Sequence, residues 1–225
     1  MVDHPILLVH GLASSFEHNW RATGWTDILA DEGRTVLGVD LPGHGTSGAQ
    51  DPAGLSPATA VLAALGEHAR ADAVGFSAGG HALLAAAAEA PERFRRIAVL
   101  GVGDQDPAGT PNGPVLSVIA GLESDTEPDD QTARVIRRLA VSAGNDRHAV
   151  AGYLRAPHPA VKVADLARID LPVLVVLGDR DFAGPADGLL AALPDARLAT
   201  LAGVDHFGTP SDFRCIEAVT RFLGQ

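Results

Sequence analysis

Residues 72–84 read Asp72-Ala-Val-Gly75-Phe-Ser77-Ala-Gly79-Gly80-His81-Ala-Leu-Leu84. A short apolar run passes into an alanine-rich segment through three glycines and one hydroxyl. The run before Ser77 has strand character and the stretch from Ala78 onward has helix character, so Ser77 stands on a strand-to-helix turn. In G-x-S-x-G spacing the glycines have a steric reason: the tight turn holds the serine strained, and side chains at Gly75 or Gly79 collide with neighbouring backbone. A helix starting at Ala78 aims its N-terminal amides at a bound carbonyl. Serine alone is a weak nucleophile, so chemistry at Ser77 requires a base, an orienting carboxylate and an anion site elsewhere in the chain.

Outward from this turn the chain alternates. Strands are predicted at Pro5–Val9, Thr35–Asp40, Ala73–Phe76, Ile97–Gly101, Val173–Gly178 and Ala196–Leu201, nearly continuous in apolar character, as strands covered on both faces are. Helices are predicted near 20–32, 56–70, 78–90, 187–193 and 211–223, with Pro91 and Pro194 just beyond two of them. Such alternation builds βαβ units and a doubly wound parallel sheet of an α/β domain. Residues 104–166 break the rhythm. They open with loop chemistry, Asp104-Gln-Asp-Pro-Ala-Gly-Thr-Pro-Asn-Gly-Pro114, and continue with helical patterns near 115–122, 129–143 and 146–155, Asn145 being the expected cap of the last. The expectation is one domain over 1–225 with a cap-like insertion at 104–166.

Bulk composition narrows the functional classes. Seventeen Lys and Arg against twenty-eight Asp and Glu give a net charge of −11, which argues against nucleic acid and anionic membrane surfaces as partners. The single cysteine, Cys215, allows no intrachain disulfide and sits at helical spacing as a buried small hydrophobe. No signal-peptide pattern opens the chain and no apolar run is long enough to span a bilayer, so a cytoplasmic protein is expected.

Two further stretches bear on the chemistry. Val9-His10-Gly11-Leu12 closes the first strand, where the Leu12 N–H joins that of Ala78 as the expected oxyanion hole. His206 lies in Gly203-Val-Asp-His-Phe-Gly208 after the last strand, where it reaches the end of the sheet as a base. Its orienting carboxylate is not Asp205, because adjacent side chains diverge. His10 as a metal ligand with His44 and His206 lacks metal-type spacing; no metal and no cofactor are expected. Phe16, Phe76, Phe207 and the 104–166 segment are candidates for an acyl pocket. Trp20 and Trp25 are read as pins for the first helix, Gly43-His44-Gly45 as a rim turn, and His81 as a packing residue.

Taken together, His10-Gly11, Asp40-Leu-Pro-Gly-His-Gly-Thr-Ser47, Gly75-Phe-Ser-Ala-Gly-Gly80, Pro91-Glu-Arg-Phe94, Gly178-Asp-Arg-Asp181 and Gly203-Val-Asp-His206 resemble the α/β-hydrolase superfamily, in its order and over essentially the whole chain. The resemblance implies Ser77 as nucleophile, Asp181 as acid and His206 as base. Asp179 and, as a fallback, Asp104 remain competing carboxylates. The implied function is a serine hydrolase acting on a small carboxylic ester or thioester through an acyl-enzyme. C–C bond hydrolysis, peracid formation, or ligand binding with little turnover are the alternatives. One departure stands out. Family members usually carry an antiparallel hairpin before the His-Gly strand, and only four residues precede Pro5 here. The expected sheet then has six strands in the order 2-1-3-4-5-6. The strand at 35–40 becomes a bare edge, for a second copy of the chain or a folded-back loop to cover, with a homodimer favoured.

Overall fold

A computed structural model describes residues 4–47, 55–105, 112–158 and 161–225. Six parallel strands, β1 (Ile6–Val9), β2 (Val36–Val39), β3 (Ala71–Phe76), β4 (Phe94–Leu100), β5 (Val173–Gly178) and β6 (Ala196–Leu201), form one sheet in the order β2-β1-β3-β4-β5-β6. The expected order is the observed one. The reversal beside β1 places the first strand inside the sheet, next to the edge strand β2, with Leu7 opposite both Leu37 and Ala73.

Two helical layers explain why the strands are apolar throughout. Alternate residues point to opposite faces. Leu7, Val9, Ala73, Val99 and Val175 pack against α2 (Pro57–Ala64), α3 (Ala78–Glu89), α7 (Val163–Leu166) and α8 (Asp187–Ala192). Ile6, Leu8, Val74, Leu100 and Val176 face α1 (Trp25–Asp31) and α9 (Phe213–Leu223), where Cys215 is buried. Trp20 and Trp25 meet edge-on at 5.1 Å in this second layer, and Trp25 Nε1 donates to the Pro210 carbonyl.

Several boundaries differ from expectation for identifiable reasons. The helix expected at 20–32 is divided at Gly24, whose φ of +84° ends a wide turn in which the Ala22 N–H bonds back to the Glu17 carbonyl. β3 begins two residues early and β4 three residues early, taking in Asp72, Arg95 and Arg96. The strand expected at 35–40 contributes Val36–Val39, and no described strand pairs with its outer edge.

Helices α4 (Gly113–Glu123), α5 (Gln131–Ser142) and α6 (Arg147–Arg155) bury a third apolar cluster of Val118, Ile119, Leu122, Ile136, Ala140 and Val150 together with Ala13, just past β1. Asp146, not Asn145, caps α6, its Oδ1 accepting from the His148 and Ala149 N–H groups. Asn145 instead joins this layer to the sheet. Its Nδ2 donates to the Ala13 and Ser14 carbonyls, and its Oδ1 accepts from the Gly45 N–H.

Candidate active site

Ser77 occupies φ +50°, ψ −116°, in the left-handed region that non-glycine residues rarely enter. It is held there by close packing of backbone on either side. A β-carbon at Gly75 would stand 2.6 Å from the Gly79 carbonyl oxygen, and one at Gly79 would stand 2.4 Å from the carbonyl oxygens of both Val9 and His10. The start of α3 therefore lies directly on the end of β1. The Ser77 N–H donates to the Leu100 carbonyl, but the hydroxyl makes no capping bond to the helix. It is left to the opposite side of the turn.

There it meets His206. The imidazole Nε2 is 3.0 Å from Ser77 Oγ, and Nδ1 is 2.9 Å from Asp181 Oδ1. An ionised carboxylate only accepts, so Nδ1 carries the ring proton and Nε2 is the acceptor facing the hydroxyl. His206 and Asp181 are both buried. Asp181 Oδ1 also accepts from the Ala183 N–H, which fixes the carboxylate on its loop. Two glycines admit the imidazole. A β-carbon at Gly178 would lie 2.1 Å from the Val204 carbonyl oxygen, so the histidine loop runs against the end of β5. Gly101, at φ +63°, leaves its side-chain space to the ring, since a β-carbon there would be 3.1 Å from His206 Cε1.

The competing carboxylates have other partners. Asp179 Oδ1 accepts from the Gly203 N–H at 2.7 Å, holding the start of the His206 loop. Asp104 accepts from the Gly188 and Leu189 N–H groups at the start of α8. Asp205 accepts from the Gly208 N–H.

Leu12 and Ala78 flank Ser77 on a cavity of about 830 Å³, and neither N–H has an acceptor among the described residues. The loop carrying Leu12 is held from beneath. The Gly11 N–H donates to Asn19 Oδ1, the Leu41 N–H to His10 Nε2, and the Ala13 N–H to His44 Nε2. The remaining ring nitrogens, both Nδ1, donate to the Gly11 and Pro42 carbonyls. Both imidazoles are thus neutral supports. Burial pushes the His10 pKa down, against the opposing pull of the Gly11 carbonyl and Asp40. Burial, and then the neighbouring His10, push that of His44 down to about 3. His44 is fully buried and is no rim residue.

Phe76 and Phe207 lie at the cavity with ring centroids 5.1 and 5.4 Å from that of His206. Phe182, passed over in the sequence although it follows Asp181, is nearer still at 4.3 Å. Phe16 is not brought to this site. Its ring lies on the sheet at Gly38, where a β-carbon would approach it to 2.5 Å, and its N–H is held by Asp40 Oδ1. Side chains of α4 and α5 form the opposite wall, and His81 faces the cavity from α3.

The sequence matches the alpha/beta hydrolase family model over residues 6–214. The chain belongs to the alpha/beta hydrolase family. This hydrolase is 28% identical over 229 residues to the pimeloyl-(acyl-carrier protein) methyl ester esterase of Nitrosomonas europaea, with 89% of this chain and 88% of that one covered. It is 25% identical over 226 residues to esterase YbfF of Escherichia coli, covering 91% and 87%. In three dimensions it is similar to the enol-lactonase of Burkholderia xenovorans, with a TM-score of 0.75 at 23% identity over 99% of this chain and 92% of that one, a likeness of fold. No helix among the described residues is long and apolar enough to cross a membrane.

Proposed function

We propose that this hydrolase is a serine esterase, with Ser77 as nucleophile, His206 as general base and then general acid, and Asp181 as the carboxylate that orients His206. The observation that carries this reading is the relay Asp181–His206–Ser77, with its separations of 2.9 and 3.0 Å. It ends on a serine held in the left-handed region, beside two N–H groups that have no other described acceptor. The two relatives, both esterases, support the same class.

In this mechanism His206 Nε2 takes the Ser77 proton as Oγ bonds to the ester carbonyl carbon. The carbonyl oxygen becomes an oxyanion facing the Leu12 and Ala78 N–H groups, aided by the N-terminus of α3. Collapse of this intermediate breaks the bond to the alcohol, which leaves with the proton from His206. Water then repeats the sequence on the acyl-enzyme and releases the acid and the free serine. Phe76, Phe182 and Phe207 contact the substrate beside His206. Helices α4–α6 act as a cap on a single catalytic domain.

The test is covalent labelling with a fluorophosphonate probe together with hydrolysis of p-nitrophenyl esters. Wild-type protein is expected to be labelled on Ser77 and to turn over ester. Ser77→Ala is expected to fold, resist labelling and lose nearly all turnover, while Ser47→Ala keeps most of it. Substantial hydrolysis by purified Ser77→Ala overturns the proposal.

A further inference from the structure

We infer that the substrate is an uncharged ester with an aliphatic acyl chain of medium length, and that the cavity rejects acyl chains ending in a carboxylate. This rests on the serine esterase reading and specifies what that site takes. The first observation is an accounting of positive charge. All seventeen lysines and arginines of the sequence are described residues, and none of them borders the cavity. The segments outside the description contain no lysine or arginine that could supply one.

The reason the cavity lacks a cation lies in the layer of helices above it. Five arginines occur within α4–α6, and all of them hold the connection between α4 and α5. Arg134 donates to the Pro128 carbonyl, Arg137 to those of Gly121, Ser124 and Thr126, and Arg147 to those of Leu122 and Ser124. Arg138 pairs with Glu127 and Arg155 with Glu123. Toward Ser77 these helices turn mostly aliphatic side chains, Val115 and Val118 from α4 and Val135, Ile136 and Leu139 from α5, with the uncharged Gln131 and Thr132 at the start of α5.

The floor is α3. Its residues Ala78, Ala82, Ala85 and Glu89 recur at helical spacing along one face of the cavity. At about 1.5 Å per residue, that face runs roughly 16 Å from the nucleophile end to Glu89. Glu89 is exposed and is the one formally charged side chain among the lining residues, and its sign repels a carboxylate. The other ionisable linings are Tyr153, whose hydroxyl burial keeps protonated, and the imidazoles His18, His81, His158 and His206. A carboxylate drawn into such a cavity loses its water and finds no cation in return, which is heavily penalised. A methylene chain gains from the same walls.

The experiment compares three substrates with one leaving group at about pH 8, where ordinary imidazoles are neutral. They are p-nitrophenyl octanoate, the mono-p-nitrophenyl ester of suberic acid with its free terminal carboxylate, and the same ester with that carboxyl methylated. The expected kcat/KM for the free acid is at least about a hundredfold below that for octanoate, with most of the loss restored by methylation. A free acid turned over within about tenfold of octanoate overturns the inference and leaves the esterase reading intact. So does a methylated ester as poor as the acid, because size and not charge then decides. Ser77 labelled by a fluorophosphonate without hydrolysis of octanoate also overturns it. Failure of both labelling and hydrolysis removes the esterase reading itself.

Discussion

Asp179 and Asp181 stand two positions apart on the loop after β5, yet their carboxylates act on different things. Asp181 reaches the ring nitrogen of His206, while Asp179 holds the backbone of Gly203. If the relay works as proposed, Asp181→Asn removes the charge that fixes the imidazole tautomer and steadies the imidazolium. A fall in kcat of roughly 10² to 10⁴ is then expected, with little change in melting temperature. Asp179→Asn loosens the His206 loop and is expected to lower stability more than kcat. Asp104→Asn weakens the start of α8 and leaves kcat nearly intact. Steady-state kinetics beside thermal melts of the three purified variants decide the matter, and an active Asp181→Asn with a crippled Asp179→Asn reverses the assignment. At this scale the sequence was informative where geometry follows from local chain direction. A serine between glycines at a strand end, and a histidine after the last strand, have few places to go. Phe16 had no such constraint. It follows the β1 loop closely enough to suggest the pocket, but the absent side chain at Gly38 opens a slot on the sheet that the ring fills instead.

The early starts of β3 and β4 share a physical source. Asp72, Arg95 and Arg96 lie outside the expected strand bounds, and charges are rarely buried in strands. In the folded chain Asp72 is fully buried and its carboxylate accepts from Arg34 and from both Nε and Nη2 of Arg95, at 2.5–2.8 Å. The two arginines bind further, Arg34 to the His4 carbonyl and Arg95 to that of Leu223. One buried carboxylate thus ties the start of β3 to β4, to the segment before β1 and to the end of α9. A pairing across 23 and 38 residues leaves no local pattern to read. It does allow a prediction. Asp72→Ala leaves two partly buried guanidinium groups without their shared partner and is expected to cost about 3–5 kcal/mol of stability. The site, at the opposite end of the strands, should keep its kcat at low temperature. Urea unfolding measures the first and ester hydrolysis the second. A loss below about 1 kcal/mol would mean that the cluster behaves as a surface ion pair.

At the scale of the whole molecule, the sheet and the layer above it meet at a buried pair of imidazoles. His10 and His44 lie 5.2 Å apart, support the Leu12 loop through the Leu41 and Ala13 N–H groups, and touch α6 where Tyr153 packs edge-on against His44. Gly43 completes the junction, since a β-carbon there would press on the Ala149 carbonyl oxygen at 2.6 Å. Neither imidazole has room for a proton, because each uses its Nε2 as an acceptor from a backbone N–H. Asp40, 3.7 Å from His10, favours protonation but does not offset burial. The direction of the pH dependence follows. His44 has an ordinary pKa of 6.5 in the unfolded chain and about 3 in the folded one, and the His10 shift has the same sign. Below about pH 6.5 the unfolded chain takes up protons that the folded chain refuses. Stability is therefore fully present above that pH and falls as the pH drops toward 3, by about 1.4 kcal/mol per pH unit from His44, with a further loss of the same sign from His10. Asp40, where burial is outweighed by the Phe16 and Thr46 N–H groups that hold the carboxylate ionised, adds its own loss in a lower window, below its ordinary 3.8. Urea midpoints of wild type and His44→Asn between about pH 7.5 and 5 isolate the His44 contribution. The asparagine of that variant still offers an acceptor to the Ala13 N–H but does not titrate, so the variant should start less stable and lose less on acidification. An unchanged slope in His44→Asn would show that the acid lability resides elsewhere.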